Sequence, residues 1–431
     1  MPHDLPFVAH GDLTLRPAES SDIPWLARLW ATAFPGERTS KQRARELEAG
    51  SGRFGGLSTC WVGEEGGEPV GALRSYSLSL SLWGAEFPTQ GLAAVAVAPE
   101  HRRRGVGARL CAAGLRVGRA MGNELSLLYP FRVDFYRRLG YTLAGTLHRY
   151  VTTPREIPLF PEGRRARVLD PESAGRSLPP FYEAVRPDFQ GLLRRDHGLW
   201  RFLEPEGKEP PLVVAVPEGE PPAGSPDASG PGTPGVFPPG APGASRNGSS
   251  QEALIRGYLV ATPDASPVAE RRTLRVRELV AADLEAYRTL LGWIALQRGI
   301  WERVILDALP GEHLDQILKH PRRAGSRTAR DGGLWFSTAT ILRGPMLRIL
   351  ALDALLDRLG ISPAARGALQ VDDPDLPENS TQGSSEPGAL SVALASELFL
   401  DGALPGQAEA VESRGWRPRM GLADFRLLDT F

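Results

Sequence analysis

A basic turn that contains glycine, between an apolar run and an apolar-periodic helix, is the part of this 431-residue sequence best suited to chemistry. The apolar run 94–98 ends at Pro99, and the turn 102–107 follows with the spacing Arg-x-x-Gly-x-Gly. Apolar residues then recur at helical spacing. A helix leaves its first backbone N–H groups unpaired and favours an anion there, and glycine permits close approach. The pattern therefore predicts a phosphate cradle.

Two other interpretations of this turn remain open. Gly105 and Gly107 could begin the G-x-G-x-x-G fingerprint of a dinucleotide-binding fold, with Glu124 at a suitable distance for a ribose contact. Against this, Leu110 occupies the third glycine position and arginines crowd the turn. The other alternative is a solvated basic turn that binds no ligand.

A second motif follows the predicted helix. Residues 125–129 are predicted to form a buried strand, and a short helix carrying Phe135 and Tyr136 ends at the sequence Leu-Gly-Tyr, residues 139–141. The Arg-x-x-Gly-x-Gly turn resembles the pyrophosphate loop of the GNAT acetyltransferases. Residues 135–141 resemble the FYRKLGY element of the same family. Both motifs occur in the family's order and at its spacing.

The resemblance implies that acetyl-CoA is held at the turn and that Tyr136 faces its thioester sulfur. An amine attacks the acetyl group, negative charge builds on the carbonyl oxygen, and a thiolate leaves. The family places a bulge at residues 95–97, where a backbone N–H can hold that oxygen. A phenol near the sulfur donates a proton to the thiolate, which is typically worth ~10²–10⁴-fold. The alternative is that Tyr136, like Tyr141, only packs.

Composition indicates an ordinary globular protein. The chain is 42% hydrophobic with a formal net charge of −1, and its length suggests more than one domain. The near-zero charge argues against a general nucleic-acid binder, so no nucleic-acid partner is expected. Cys60 and Cys111 lie in apolar runs and are predicted to be core residues. No metal-ligand spacing or disulfide framework is present, so no metal is predicted.

Targeting signals are not evident in the sequence. No window approaches the ~18 apolar residues that a membrane span needs. The first residues lack the basic and apolar regions of a secretory signal. We therefore expect a cytoplasmic protein with no membrane partner.

The pattern of elements predicts two related units. Strand, helix, antiparallel strands, cofactor strand, helix, strand, helix is the order of a GNAT fold, and it covers about residues 10–150. Paired strands at 212–216 and 253–260, followed by strand, helix and strand over 273–306, repeat it. The stretch 217–250 is rich in Pro, Gly and Ser and is predicted to be a disordered loop inserted in a hairpin. An interdomain linker is the alternative.

The whole plan resembles that of the Eis-type (enhanced intracellular survival) acetyltransferases. That resemblance implies an α+β (α/β) fold with three domains. They are a catalytic GNAT domain at 1–152, a degenerate GNAT-like domain at 153–335 and a sterol-carrier-like domain at 336–431. The second domain lacks the Arg-x-x-Gly-x-Gly turn, so we expect it not to bind the cofactor. The family commonly forms hexamers, so a homo-oligomer, specifically a homohexamer, is expected.

The resemblance also implies the site residues. In the family, the carboxylate of a final aromatic residue acts as general base through water, and Phe431 occupies that place here. A frayed terminus is the alternative. Tyr136 is the expected proton donor. The expected contacts to coenzyme A are Val95, Ala96, Val97, Arg102, Arg103, Arg104, Gly105, Val106, Gly107, Ala108, Phe131 and Arg132.

The predicted function is transfer of acetyl from acetyl-CoA to a primary amine on an aminoglycoside-like or polyamine-like molecule, or on a lysine. Aminoglycoside-acetylating members line a large acidic cavity, which the sequence around 33–37 does not show. The alternative is a non-catalytic coenzyme A sensor whose C-terminal domain binds an apolar ligand or a partner. A protein N-terminal or lysine acetyltransferase, which needs an open peptide groove, is the third possibility.

Overall fold

The computed structural model describes residues 8–36, 38–50, 55–203, 210–218, 254–264, 272–322, 329–330, 334–335, 337–360, 371–380 and 390–391. Its contacts divide the chain into two compact units. The first comprises the residues up to 145, 191–194 and those from 343 onward, and the second comprises 146–190 and 195–342. Most of the predicted insert, from 219 to 250, and the predicted C-terminal base Phe431 lie outside the described residues.

A mixed eight-stranded sheet forms the centre of the first unit. Its strands are β1 (Val8–His10), β2 (Leu13–Pro17), β3 (Cys60–Glu65), β4 (Glu68–Leu82), β5 (Ala85–Val97), β6 (Leu125–Leu128), β7 (Thr142–Leu143) and, from much later in the chain, β17 (Met346–Ile349). The order across the sheet is β1-β2-β3-β4-β5-β6-β17-β7. β5 and β6 run parallel, and the other neighbours are antiparallel.

Five helices accompany this sheet. They are α1 (Ile23–Ala33), α2 (Ser40–Ala49), α3 (Val106–Ala120), α4 (Val133–Arg137) and α9 (Leu352–Arg358). A short 3₁₀ turn, Ser20–Asp22, lies immediately before α1. Thr39 and Gln42 form a capping box at the start of α2, which satisfies two of the backbone N–H groups that a helix start leaves unpaired.

Small residues allow α3 to lie very close to the sheet. A Cβ on Gly114 would lie 2.8 Å from Leu73 Cδ2, and one on Gly118 would lie 2.5 Å from the Gln90 side chain. Since real Cβ atoms do not approach this closely, a larger residue at either position would push the helix away from β4 and β5. The close contact fixes where the helix begins relative to β5.

The second unit is built around a seven-stranded sheet. Its strands are β8 (Thr146–Thr152), β9 (Arg167–Leu169), β10 (Leu212–Pro217), β11 (Ile255–Asp264), β12 (Thr273–Ala281), β13 (Arg303–Ala308) and β16 (Ala339–Arg343). They lie in the order β16-β8-β13-β12-β11-β10-β9. The helices are α5 (Pro171–Val185), α6 (His197–Trp200), α7 (Leu284–Leu296) and α8 (Leu314–Ile317). β14 (Ala329–Arg330) pairs with β15 (Leu334–Trp335) in this unit. In the first unit, β18 (Val371–Asp372) pairs with β19 (Leu390–Ser391).

Several predicted elements of the second unit are confirmed. β10 and β11 pair antiparallel, as the two apolar runs that flank the insert predicted. β12, α7 and β13 follow in the predicted order, and β12 pairs with β13 in parallel. This is the same arrangement as β5, α3 and β6 in the first unit.

One predicted strand has a different place. β17 falls within the predicted C-terminal domain, 336–431, but it lies in the sheet of the first unit, between β6 and β7. All four of its residues are buried. Strands on both sides pair its backbone groups, which a fully buried strand requires. The division of the chain into three domains stays a prediction.

The two cysteines are core residues, as the sequence predicts. Cys60 and Cys111 are both buried. Within the described ranges, no helix is long and apolar enough to cross a membrane. In the same part of the chain, no group of three or more His, Cys, Asp or Glu side chains is placed to hold a metal ion.

Candidate active site

Strand β5 carries a bulge near its end. β5 pairs regularly with β4 up to Ala93 and again from Ala96, which leaves Ala94 and Val95 opposite the single residue Leu73. Ala94 has a φ of 49°, in the left-handed region that residues other than glycine rarely adopt. The bulge implied by the family resemblance is therefore present. Neither the apolar pattern nor the composition of the run indicated it.

A buried tryptophan holds the bulge in place. Trp30, on α1, donates its indole N–H to the backbone oxygen of Ala94 at 2.7 Å. The guanidinium of Arg74 lies over the Trp30 ring, 5.2 Å from its centroid. Neither residue is among the predicted site residues. The sequence signal for Trp30 is a large aromatic on the apolar face of the first helix, which is equally typical of an ordinary core residue.

Beyond the bulge, one edge of β5 pairs with no other strand among the described residues. The parallel pairing with β6 covers β5 only from Thr89 to Gly91. The N–H of Ala98 donates to Val70 on the β4 side. Because backbone groups alternate in direction along a strand, those of Val97 face the opposite edge. There the Val97 carbonyl accepts a hydrogen bond from Arg102 Nε at 3.2 Å. Within the described part of the chain, no strand pairs with β5 at this edge beside Val95 and Val97.

The predicted cradle follows directly. Gly105 is the N-cap of α3, with a φ of 79°, and no side chain caps the helix there. Arg103 also has a positive φ, 60°, which completes a tight turn. Arg102, Arg103 and Arg104 are exposed. The geometry thus combines uncapped backbone N–H groups with exposed positive side chains at a helix start, and this combination favours an anion.

Tyr136 lies in a cluster of aromatic rings. It is 4% exposed and makes edge-to-face contacts with Phe131, Phe135 and Tyr141, at centroid distances of 5.6, 5.0 and 5.9 Å. Burial, with a smaller effect from Cys111, raises the pKa of Tyr136 well above its usual value. The phenol is therefore fully protonated near neutral pH and can act as an acid.

The cradle and the aromatic cluster meet at Gly107. A Cβ built on this glycine would lie 3.6 Å from Val97 Cγ2 and 3.8 Å from Phe135 Cζ. The first turn of α3, the end of β5 and helix α4 therefore border the same space. Two motifs that are separated in the sequence are brought together here, as the family resemblance implied.

The remaining predicted contacts lie at the rim. Phe131 is 71% exposed and stacks against Phe135 at 5.6 Å. Arg132 is bound to Asp134 by two hydrogen bonds, of 3.1 and 2.6 Å, and this pairing lowers the pKa of Asp134. Val106 and Ala96 are buried, and Ala108 is partly buried. The roles of all these residues stay predictions.

A buried polar row, absent from the predictions, runs beneath α3. Gln90 donates to Ser75 Oγ at 2.9 Å and to the Gly114 carbonyl at 2.7 Å. Its carbonyl oxygen accepts from Ser126 at 2.9 Å, and Ser126 lies 2.6 Å from the Tyr141 hydroxyl. The row ties β4, β5, β6 and the FYRRLGY segment together. A glutamine inside an apolar strand was the available signal.

In the second unit the position that corresponds to the cradle is built differently. The connection from β12 to α7 is short, and the Asp283 carboxylate caps the helix by accepting from Ala286 N at 2.9 Å. Arg256 pairs with Asp283 at 2.7 Å. A carboxylate therefore already takes the place that an anionic ligand would occupy.

Comparison with known proteins agrees with the two-unit arrangement. Residues 14–144 match a family model described as an acetyltransferase (GNAT) domain, and residues 246–349 match a second model of the same description. N-acetyltransferase Eis from Mycobacterium tuberculosis is 28% identical over 307 residues, 68% of this chain and 63% of that protein. An uncharacterized N-acetyltransferase from Streptomyces griseus is 27% identical over 198 residues, 44% of this chain and 46% of that protein. The chain thus covers less than two thirds of the length of each of these relatives.

Solved structures share the fold. A GCN5-related N-acetyltransferase from Kribbella flavida superposes with a TM-score of 0.64 at 22% identity, covering 97% of this chain and 100% of that one. Eis1 from Mycobacterium abscessus gives 0.66 at 18% identity, with the same coverage. The chain therefore carries two GNAT acetyltransferase domains and is a homologue of the Eis N-acetyltransferases.

Proposed function

We propose that the first unit transfers an acetyl group from acetyl-CoA to a primary amine. One arrangement carries the proposal: an open, bulged edge of β5 lies beside an uncapped helix start and a buried phenol. Each part suits a different portion of the reaction. Gly107, which borders both β5 and the aromatic cluster, joins them into one site.

The cradle fits a diphosphate. The backbone N–H groups at Gly105, Val106 and Gly107 offer donors, and the absence of side chains on the glycines permits close approach. The exposed Arg102, Arg103 and Arg104 supply positive charge. In this proposal the acyl chain extends along the open edge of β5 past Val95, Ala96 and Val97. Phe131 and Arg132 border its outer side.

The reaction balances with the groups at hand. A neutral amine attacks the acetyl carbon, the C–N bond forms and the C–S bond breaks. Backbone N–H groups at Val95 or Val97 stabilise the oxygen on which charge develops, as donors in an oxyanion hole do. Tyr136 gives its proton to the departing sulfur as a positioned acid. The nitrogen then sheds its extra proton, which restores the Tyr136 phenol, and the products are an amide and coenzyme A as the free thiol.

The amine must first lose a proton. By the family resemblance we assign this role to the C-terminal carboxylate of Phe431, acting through water. A carboxylate would also attract a cationic amine. The acceptor class we propose is a small aminoglycoside-like or polyamine-like amine, or a lysine.

The rest of the chain has proposed roles as well. We propose that the second unit binds no acetyl-CoA, because Asp283 fills the helix start at which the diphosphate would bind. The residues from 336 onward are proposed to include a sterol-carrier-like domain, and the assembly is proposed to be a homo-oligomer. The resemblance to the Eis-type proteins supports these statements.

The test is thiol release from acetyl-CoA against a panel of aminoglycosides, polyamines and lysine peptides. Tyr136→Phe should lower kcat by about 10²-fold or more, the usual worth of a positioned acid, with little change in acetyl-CoA affinity. Tyr150→Phe is the matched control, since this phenol of the second unit is also buried with a raised pKa, about 12. Acetyl-CoA binding without turnover on any amine would instead support the sensor alternative. Equal loss of kcat and affinity in Tyr136→Phe would remove the proton-donor role.

A further inference from the structure

Arg109, one turn into α3, contacts the cradle from behind. Its Nη1 donates to the carbonyl oxygen of Arg104 at 3.1 Å, and its Nη2 forms an ion pair with Glu65. The aliphatic part of the side chain packs near Gly11, where a Cβ would lie 3.7 Å from Arg109 Cδ. The guanidinium thus joins the turn before the helix to the strand hairpins of the first unit.

The contact with Arg104 sets the direction of one peptide group. In a planar trans peptide the C=O and the following N–H point in opposite directions. Because the Arg104 oxygen points to Arg109, the N–H of Gly105 points away from Arg109. A Cβ on Gly105 would lie only 3.2 Å from Arg109 Nη1, so this approach also depends on glycine. Arg109 therefore holds a carbonyl oxygen away from the cradle and presents an N–H instead.

Glu65 gives this contact a firm anchor. It ends β3, and the two residues that follow, Gly66 and Gly67, both have positive φ values, 62° and 84°. A two-residue turn of this kind matches the twist of its strands and forms a well-defined hairpin. Both side chains of the pair are largely covered, with 31% of Arg109 and 18% of Glu65 exposed. The pair is therefore held in one geometry.

We propose that the Arg109–Glu65 pair positions the phosphate turn of the first unit and thereby sets its affinity for the diphosphate of acetyl-CoA. The inference rests on the proposed function of this site. Arg109 is a positioning residue here and does not touch the ligand. Glu65 neutralises its charge, so attraction of the phosphates is left to the exposed arginines of the turn.

The direction in which Glu65→Gln changes coenzyme A affinity distinguishes two roles for Arg109. If Arg109 bound the phosphates itself, Glu65→Gln would release its positive charge and tighten coenzyme A binding. If the pair positions the turn, the same variant weakens binding. By calorimetry we expect Kd for coenzyme A to rise about tenfold, as for loss of one hydrogen bond to a charged group. A lower or unchanged Kd would overturn the inference.

An acetyl donor without the diphosphate distinguishes a positioning role of Arg109 from general damage to the fold. Arg109→Met should raise KM for acetyl-CoA, again by about tenfold, and leave kcat/KM for S-acetyl-pantetheine unchanged. Equal losses with both donors would show that the variant only damages the fold, against the inference. The control is Glu172→Gln, which breaks an exposed pair with Arg176 on α5 of the second unit and should leave Kd unchanged. If the wild-type protein binds no coenzyme A, the proposed function itself fails.

Discussion

Replacing Trp30 by phenylalanine should lower kcat without changing the affinity for coenzyme A. The substitution keeps an aromatic ring in the first helix but removes the N–H that donates to Ala94 at 2.7 Å. Trp30 is 2% exposed and Ala94 is half-buried, so the Ala94 oxygen would lose its partner in a largely covered position. Such a loss costs about 1–3 kcal/mol, and the smaller ring adds on the order of 1 kcal/mol for a cavity.

The bulge is stable when the free energy of the indole hydrogen bond exceeds the strain at Ala94. A non-glycine residue in the left-handed region costs about 1–2 kcal/mol, and Ala94 lies there with a φ of 49°. In the wild-type protein, the indole hydrogen bond is large enough to offset that strain. Without it, Ala94 gains by relaxing out of the left-handed region, which moves the neighbouring backbone N–H groups of Val95 and Val97. The upper limit is loss of one oxyanion donor, about 10²–10³ in kcat.

We therefore expect Trp30→Phe to lower kcat by about tenfold to a thousandfold while Kd for coenzyme A stays near the wild-type value. The assays are thiol release, calorimetry and thermal unfolding on the same preparations. Trp25→Phe, at a half-buried tryptophan of the same helix, is the control for loss of an indole. A normal kcat in Trp30→Phe, despite a lower melting temperature, would show that the indole does not hold the catalytic geometry.

Three further outcomes can be checked. Gly105→Ala should weaken coenzyme A binding. Gly122 has nearly the same φ (80° against 79°) but no described atom within 4 Å of a new Cβ, so Gly122→Ala should cost similar stability and leave binding intact. Weaker binding in both variants would contradict this prediction. Burial opposes ionisation of Asp22, but hydrogen bonds from Arg16 outweigh this effect and lower the pKa of Asp22. The ionised carboxylate therefore stabilises the fold above the unfolded pKa of about 4, and this stabilisation is lost as pH falls through the lower folded pKa. Asp22→Asn should flatten that part of the profile of melting temperature against pH. Asp283→Ala should cost about 1 kcal/mol through loss of a helix cap and leave acetyl transfer unchanged, and altered turnover would implicate the second unit in catalysis.

The two motifs could be predicted because their chemistry depends on local sequence. A helix that starts at Gly105 needs the φ of 79° that glycine adopts easily, and this requirement is visible in the order of residues. The Phe135-Tyr136 helix and its glycine end are local in the same sense. The apolar periodicity likewise predicted α3, β10, β11 and α7. Each of these depends on neighbours only a few residues away in the chain.

The bulge and its support could not be predicted in that way. Ala94 and Val95 look like any apolar strand residues, and the bulge exists because β4 and α1 constrain them from two sides. The same holds for the Arg109–Glu65 pair, whose members are separated by 44 positions. Such contacts arise only when distant segments pack together.

The sequence by itself determined that the chain holds two related α+β units, that the first carries a basic, glycine-containing turn before a helix and that Tyr136 follows at the family's spacing. Only the tertiary structure decided that β17 enters the first sheet, that β5 leaves an open edge, and that Asp283 caps the equivalent helix of the second unit. The reason is physical. Backbone conformation at a turn or cap is set by the residues within it, whereas strand order, register and burial are set by competition among segments that are far apart in the chain.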